Sequence, residues 1–409
     1  MGKSRSCTTE VQNLHWARLL DGSTLPGMTT LREPRTRPLD HTVSLHDRVA
    51  QVAPVLALHA GRHDVDGTFV TESLDALHDA GLLAAGVPVE LGGLGYGPRE
   101  LAELQRRLAH HCGSTALATS MHQHVVAFTA WRFRRGMPGA EATLRRVVDE
   151  GILLVSTGGG DWIHPRGEAV RVDGGFLVSG HKRFCSQSTV GTVMSTMATY
   201  DDPEQGRRVL NLAAPLASEG VSVLENWDTL GMRGTASNDI VLENVFVPEE
   251  RVLANRPYGV VDPPLQVIGS IAMPIISAVY LGVAEAAFAA ALESARNRPE
   301  AVDVRRRIGL MKHRLQVAGW ALDAVLGLVG PDVTPSMDTF TAVMLAKREI
   351  ALAGLEVCDI AMEVVGGPAF FRGSVVERCY RDIRAAKFHP ATPEETLLLA
   401  AEQELAGTS

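Results

Sequence analysis

The chain has 409 residues, 45% hydrophobic, 21% charged and 5% aromatic, with a formal net charge of -8. That composition excludes disordered and collagen-like classes, and an acidic chain without a dominant Lys/Arg block is not built to follow a nucleic-acid backbone. The length exceeds what one compact core fills, so two or three packed units are expected.

Residues 1–42 mix Arg, Pro, Thr, Gly and Asp without a sustained apolar period and read as a flexible arm. They hold no long apolar run, so neither a signal peptide nor a membrane anchor is expected, and the chain reads as cytoplasmic. From 43 to 150, stretches such as VAQVAPVLALHAG and ELAELQRRLAHH repeat apolar residues at three and four spacings, the mark of amphipathic helices. The segment GVPVELGGLGYG at 86–97 interrupts them with a loop forced by Gly and Pro.

Between 151 and 260 the pattern changes to short β-favouring runs punctuated by Gly, Asp and Pro. Within it, Asp173-Gly174-Gly175 between two alternating runs predicts a hairpin. From 261 to 409 the helical period returns in long segments, as in SIAMPIISAVYLGVAEAAFAAALESARN, and predicts a C-terminal four-helix bundle. The short basic run Arg305–Arg307 reads as a solvated helix face.

The chain has no G-x-G-x-x-G after a strand, no P-loop, no H-E-x-x-H and no G-x-S-x-G. Five scattered cysteines without a C-x-x-C pair indicate neither a disulfide framework nor a zinc site, and no metal is expected.

The α+β arrangement of helical domain, small β-domain and helical bundle carries several ordered motifs that resemble the acyl-CoA dehydrogenase superfamily. GVPVELGGLGYG resembles its early loop, WDTLGMRGTASNDIVLENVFVPEERVL its late β-domain segment, and MEVVGGPAFFRGSVVERCYRDIRAAKF its penultimate helix, Gly-Gly turn and Arg-Asp helix. The resemblance implies the acyl-CoA dehydrogenase fold, a bound flavin (FAD in most members) between β-domain and bundle, and a homotetramer. It implies that Ser156, with Thr157 beside it, meets the isoalloxazine ring, that Phe184 packs on the flavin and that Ser186 lies near N5. Arg298 and the turn Gly366-Gly367 then face the adenosine and pyrophosphate end of a neighbouring subunit's cofactor. Such roles suit a flavin, which needs an apolar slot with a few hydroxyl and backbone donors at its polar edge.

Four departures set this chain apart. The arginine segment lacks the Phe-Gly that normally follows and reads ARNRPEAVDVRRR, and Glu363 stands where many members carry Gln. Both point to a more loosely held flavin, such as reduced FMN supplied by another protein. Dehydrogenation of a thioester needs a carboxylate to take the α-proton, yet the two positions that supply it in the family are Pro390 and Ala272 here. His389 stands beside the empty position, and in this the chain resembles the flavin-dependent monooxygenase branch, including dibenzothiophene monooxygenase and the amino-sugar nitrososynthases. In that branch an oxygen adduct forms at flavin C4a and the histidine helps move a proton, a task suited to an ordinary imidazole pKa of about 6.5.

A second pair, His122 and His124, is expected at the end of a helix of the N-terminal domain, with only one of the two directed into the site. The first functional reading is an oxygen-using flavin oxidoreductase acting on a small molecule. The alternative is an acyl-CoA or acyl-carrier-protein thioester dehydrogenase using Glu394 or Glu395, and the third a flavin-free scaffold. A flavin reductase or an electron-transfer flavoprotein is the expected protein partner, besides further copies of the chain in a homo-oligomer.

Overall fold

A computed structural model describes residues 39–157 and 159–406. Of the expected arm, all but residues 39–42 lies outside the described residues, as does Cys7.

The chain enters through α1 (Leu45–Asp66), whose first turn is capped by Ser44, its hydroxyl accepting the Asp47 N–H at 3.1 Å. After α2 (Thr71–Asp79) the Gly- and Pro-rich segment turns through two 3₁₀ turns, Leu82–Ala84 and Val89–Leu91. It leads into α3 (Pro98–Ala109), where the Glu100 carboxylate accepts the Gly97 N–H at 3.1 Å. Helix α4 (Gly113–Phe133) is buried along almost its whole length, and α5 (Ala140–Asp149) closes the unit.

The central region is one eight-stranded sheet. β1 (Leu154–Ser156), β2 (Glu168–Val172), β3 (Gly175–Lys182), β4 (Val193–Asp202), β5 (Gly206–Pro215), β6 (Val221–Val223), β7 (Ile240–Pro248) and β8 (Val252–Pro257) take the order β6-β7-β3-β2-β4-β5-β8, with β1 parallel to β4. Val172 faces Gly175 across a two-residue turn made by Asp173 and Gly174, the latter at φ +77°, the left-handed geometry that favours glycine in tight hairpins. Alternating side chains such as Phe176, Val178, Leu210, Leu212, Val245 and Val247 form the sheet's own core.

Three long helices follow, α6 (Pro263–Ala295), α7 (Val302–Leu328) and α8 (Met337–Val365), then the short α9 (Val375–Asp382) and α10 (Pro393–Ala406). Helix α6 is long and apolar enough to cross a membrane, but 94% of its most apolar window is buried inside the protein; it is the central strut. The helices of the two ends of the chain share one apolar core, running from Leu56, Leu101 and Leu108 through Ile275 and Val279 to Met344 and Ile350. α6 crosses α3 so closely that a Cβ on Gly282 would sit 2.2 Å from the Arg106 carbonyl oxygen.

The segment WDTLGMRG docks the sheet on the bundle. Arg381 of α9 holds Asp64 of α1 in a two-pronged pair at 2.9 and 2.6 Å, binds Glu377 at 2.6 and 2.8 Å, and donates to the Leu230 carbonyl at 3.0 Å. Neighbouring Asp382 accepts the Met232 N–H at 2.5 Å. A Cβ on Gly231 would lie 2.4 Å from the Arg381 carbonyl, so this contact requires glycine. A buried guanidinium needs this many acceptors to offset its lost hydration.

Candidate active site

Three parts of the chain converge at Leu154 on β1. His122, in the middle of α4 and fully buried, accepts the Leu154 N–H on Nδ1 at 3.0 Å, and its Nε2 donates to the Leu83 carbonyl at 2.9 Å. Gln187 donates to the Leu154 carbonyl at 3.0 Å from the turn after β3. The sequence expectation that placed the histidine pair at a helix end is thereby corrected: both residues are mid-helix, and both are buried. Neither ring nitrogen of His122 is left for a substrate, because each is bonded to backbone.

His124, half a turn on, directs Nδ1 to the Ser120 carbonyl at 3.0 Å. Burial pushes its pKa down to about 4, and His122 adds to the effect. The fold brings it into electrostatic reach of His389.

Two links down from Leu154, half-buried Ser156 ends β1, and Thr157 after it is held by its own N–H, which donates to the Ser195 carbonyl at 3.0 Å. The turn Phe184–Ser188 faces this strand end. Phe184 is 62% exposed and Gln187 fully buried, and both have positive φ, +59° and +55°. Non-glycine residues held in that region concentrate at binding sites, where the surrounding structure enforces them. The Phe184 ring stands edge-on to Trp227 with centroids 6.1 Å apart, leaving a face open for a planar ring.

Ser186, between those two residues, ends a chain of hydroxyls. Thr235 donates to the Met232 carbonyl at 2.9 Å, so Ser237 must donate to Thr235 at 2.7 Å, and Ser186 to Ser237 at 2.8 Å. Each hydroxyl carries one proton, and the chain therefore leaves Ser186 Oγ with lone pairs to offer. An exposed aromatic face, a half-buried hydroxyl and an acceptor hydroxyl fit the apolar ring and polar edge of a flavin.

Arg298 and the Gly366-Gly367 turn are also brought together. Arg298 donates to the Val364 carbonyl at the end of α8, and Gly366 follows at φ +74° with both glycines exposed. Glu363, which stands where many members carry Gln, is paired with Arg307 at 2.9 Å.

His389 lies half-buried in the turn between α9 and α10. Its ring stands 5.5 Å from that of Tyr280 on α6, tilted by 57°. Burial, the Lys347 ammonium and His124 push its pKa down to about 3, so the imidazole is neutral at physiological pH rather than poised near its ordinary value. Lys347 of α8, 4% exposed, donates to the His389 carbonyl at 3.0 Å and to the Ala391 carbonyl at 2.7 Å. Tyr280 is buried, its hydroxyl has no partner among the described residues, and burial raises its pKa well above the ordinary value. Sequence reasoning missed both. Lys347 carried a signal, a lone charge on the α8 stripe that also holds Val343, Met344, Ile350 and Ala351.

The carboxylate alternatives stand elsewhere. Glu394 and Glu395 are exposed on the first turn of α10, and Glu395 accepts the Thr392 N–H at 2.6 Å as a helix cap. Among the described residues no group of His, Cys, Asp and Glu is arranged to hold a metal ion.

Three family patterns match in chain order: acyl-CoA dehydrogenase N-terminal domain over residues 44–133, middle domain over 156–245 and C-terminal domain over 274–394. The chain is 29% identical to the amino sugar nitrososynthase DnmZ of Streptomyces peucetius, with 85% of this chain and 89% of DnmZ covered. It is likewise 29% identical to the putative acyl-CoA dehydrogenase YdbM of Bacillus subtilis, with 87% and 95% covered. Among solved structures, KijD3 in complex with FMN and dTDP-3-amino-2,3,6-trideoxy-4-keto-3-methyl-D-glucose shares 28% identity at a TM-score of 0.76, with 92% and 96% covered. The three matched domains, in this order and around this site, place the chain in the acyl-CoA dehydrogenase superfamily of flavin-dependent oxidoreductases.

Proposed function

We propose that the chain is an oxygen-using flavin enzyme that oxidises a heteroatom, nitrogen foremost, of a small molecule. The observation that carries this reading is the neutral His389 at the point where a thioester dehydrogenase needs a carboxylate, with Pro390 and Ala272 at the two family positions and Glu395 spent on a helix cap. The relatives DnmZ, a nitrososynthase, and KijD3, held with FMN and an amino sugar nucleotide, support it.

Phe184 would carry the flavin ring, and Ser156 and Ser186 would meet its polar edge. Bound there in its reduced form, the flavin would supply the activation of dioxygen. Ser186 offers an acceptor, and a reduced flavin carries an N–H at N5, so the hydroxyl chain is matched to the reduced state. Arg298 is spent on the Val364 carbonyl of its own chain, which favours FMN over the longer FAD. Reduced FMN then comes from a separate flavin reductase.

His389 acts on the substrate. A neutral imidazole accepts a hydrogen bond from the substrate N–H and takes that proton as the nitrogen gains oxygen, passing it on to solvent. His124 lines the same region as a second neutral imidazole. The exposed Phe370, Phe371 and Phe388, at 85%, 73% and 76%, favour a homo-oligomer, since apolar surface of this kind is covered by partner subunits.

Incubation with FMN, a reductase, NADH and a panel of amino sugars and simple amines tests the reading. It expects oxygen-dependent formation of a hydroxylamine or nitroso product; oxidation of an acyl-CoA to its enoyl form without oxygen would overturn it.

A further inference from the structure

We propose that Lys347 is the positioning residue of this site: its buried ammonium clamps the 389–391 turn by two backbone carbonyls and so sets the place of the His389 imidazole, with a fixed positive charge behind it. The inference rests on the proposed role of His389, but its geometry stands independently.

The turn 389–391 belongs to neither of the elements that flank it. Upstream, the 3₁₀ turn Ile383–Lys387 ends as Phe388 N–H bonds Ala385; downstream, α10 begins at Pro393. The carbonyls of His389 and Ala391 obtain their donors from one side chain, Lys347 Nζ at 3.0 and 2.7 Å. The next residue of α8, Arg348, continues the attachment by donating to the Pro393 carbonyl at 3.1 Å. α8 thus fastens the turn at three carbonyls in five residues.

A buried ammonium is a costly way to satisfy two neutral carbonyls, because it gives up its hydration without a carboxylate in hydrogen-bonding range among the described residues. Lys347 lines a small cavity with Tyr280 and Ser277, and the Tyr280 hydroxyl there is unpartnered among the described residues. A purely structural tie needs only amide donors. A charge placed behind the imidazole does something more: it adds to burial in opposing a second positive charge on His389. The groups that face His389 are Lys347 from α8, His124 from α4 and Tyr280 from α6; Glu395 of α10 acts on Lys347 from the other side.

The test reads His389 directly. Histidine Cε1 is labelled with ¹³C in the full-length chain, and the His389 resonance is assigned by its loss in His389→Gln. Ionisation is then followed in the parent and in Lys347→Met, Lys347→Gln and Lys347→Arg, with FMN affinity as a control on the fold. Lys347→Arg should keep the parent's single resonance and low ionisation. Lys347→Gln keeps donors without charge, so its resonance should stay in place while ionisation moves toward ordinary histidine. Lys347→Met should show both the shift in ionisation and a displaced or doubled resonance. In the parent, a small displacement of the resonance with a midpoint near pH 8, where burial places the Lys347 pKa, should vanish in Lys347→Arg. Parent-like resonance and ionisation in both Lys347→Gln and Lys347→Met overturn the proposal. This readout does not depend on turnover, so it fails separately from the acid/base role of His389, which is decided by the activity of His389→Ala.

Discussion

The imidazole of His389 leans on the phenol of Tyr280, centroids 5.5 Å apart, and this contact joins the last turn before the final helix to the central strut of the molecule. It places the imidazole where the chain lacks a carboxylate. If the imidazole takes a proton from substrate, His389→Ala should lower turnover by about 10²–10⁴-fold, the usual size of a lost acid/base group, with FMN affinity unchanged. His389→Gln should be nearly as damaged, since it cannot exchange a proton. Glu395→Gln, which alters only the cap of α10, should turn over at close to the parent rate. Steady-state kinetics on the three variants decide the ranking.

Phe184 gives a cleaner readout of the cofactor site. Its ring is 62% exposed, so Phe184→Ala removes little from the core and should leave the melting temperature nearly unchanged. It should weaken FMN binding by about tenfold, corresponding to an aromatic stacking contact of roughly 1 kcal/mol. Fluorescence titration and a thermal melt on the same sample check both halves.

Gly231 is where packing leaves no freedom. Gly231→Ala puts a Cβ 2.4 Å from the Arg381 carbonyl and must push α9 away from the sheet segment. Overpacking of this kind costs about 1–3 kcal/mol, and displaces Arg381 from Asp64 as well. The urea midpoint should fall accordingly, while Gly309→Ala, a helix glycine with open space around it, should hold or raise it.

The two low-pKa histidines make the fold acid-sensitive. His124 at about 4 and His389 at about 3 stand below the ordinary imidazole value because of burial. On acidification the unfolded chain therefore takes up protons first. Their stabilising contribution is complete above pH about 6.5 and is lost as pH falls through the folded values. Urea midpoints should drop between pH 7 and pH 5, and His124→Gln should flatten that slope.

The order of helices, strands and helices was legible because two periodicities, 3.6 in the end segments and 2 in the middle, write it directly, with Gly174 marking the hairpin. Motif order carried the family, since WDTLGMRG and the Arg-Asp helix are the two sides of one contact, Gly231 against Arg381. The environment of the site was not legible. His122 and His124 look equivalent in sequence, and only the approach of Leu154 commits both ring nitrogens of one of them to backbone, while His124 keeps a single bond within its own helix. The low pKa of His389 comes first from burial and then from Lys347, 42 residues away along the chain, and no local pattern reports a contact of that span. Nor does the sequence show that Glu363 is paired, since its partner Arg307 comes from another helix.

The central claim, that this scaffold uses oxygen, is tested most directly by rapid mixing. The protein is loaded with reduced FMN under anaerobic conditions, then mixed with oxygenated buffer while the flavin spectrum is followed. The account predicts a transient absorbance distinct from both oxidised and reduced FMN, longer-lived than anything seen with free reduced FMN, and shortened in Ser186→Ala, which removes the acceptor at the polar edge. A single-phase return to oxidised FMN at the rate of the free cofactor, together with bleaching of the oxidised protein by acyl-CoA thioesters without oxygen, would contradict it.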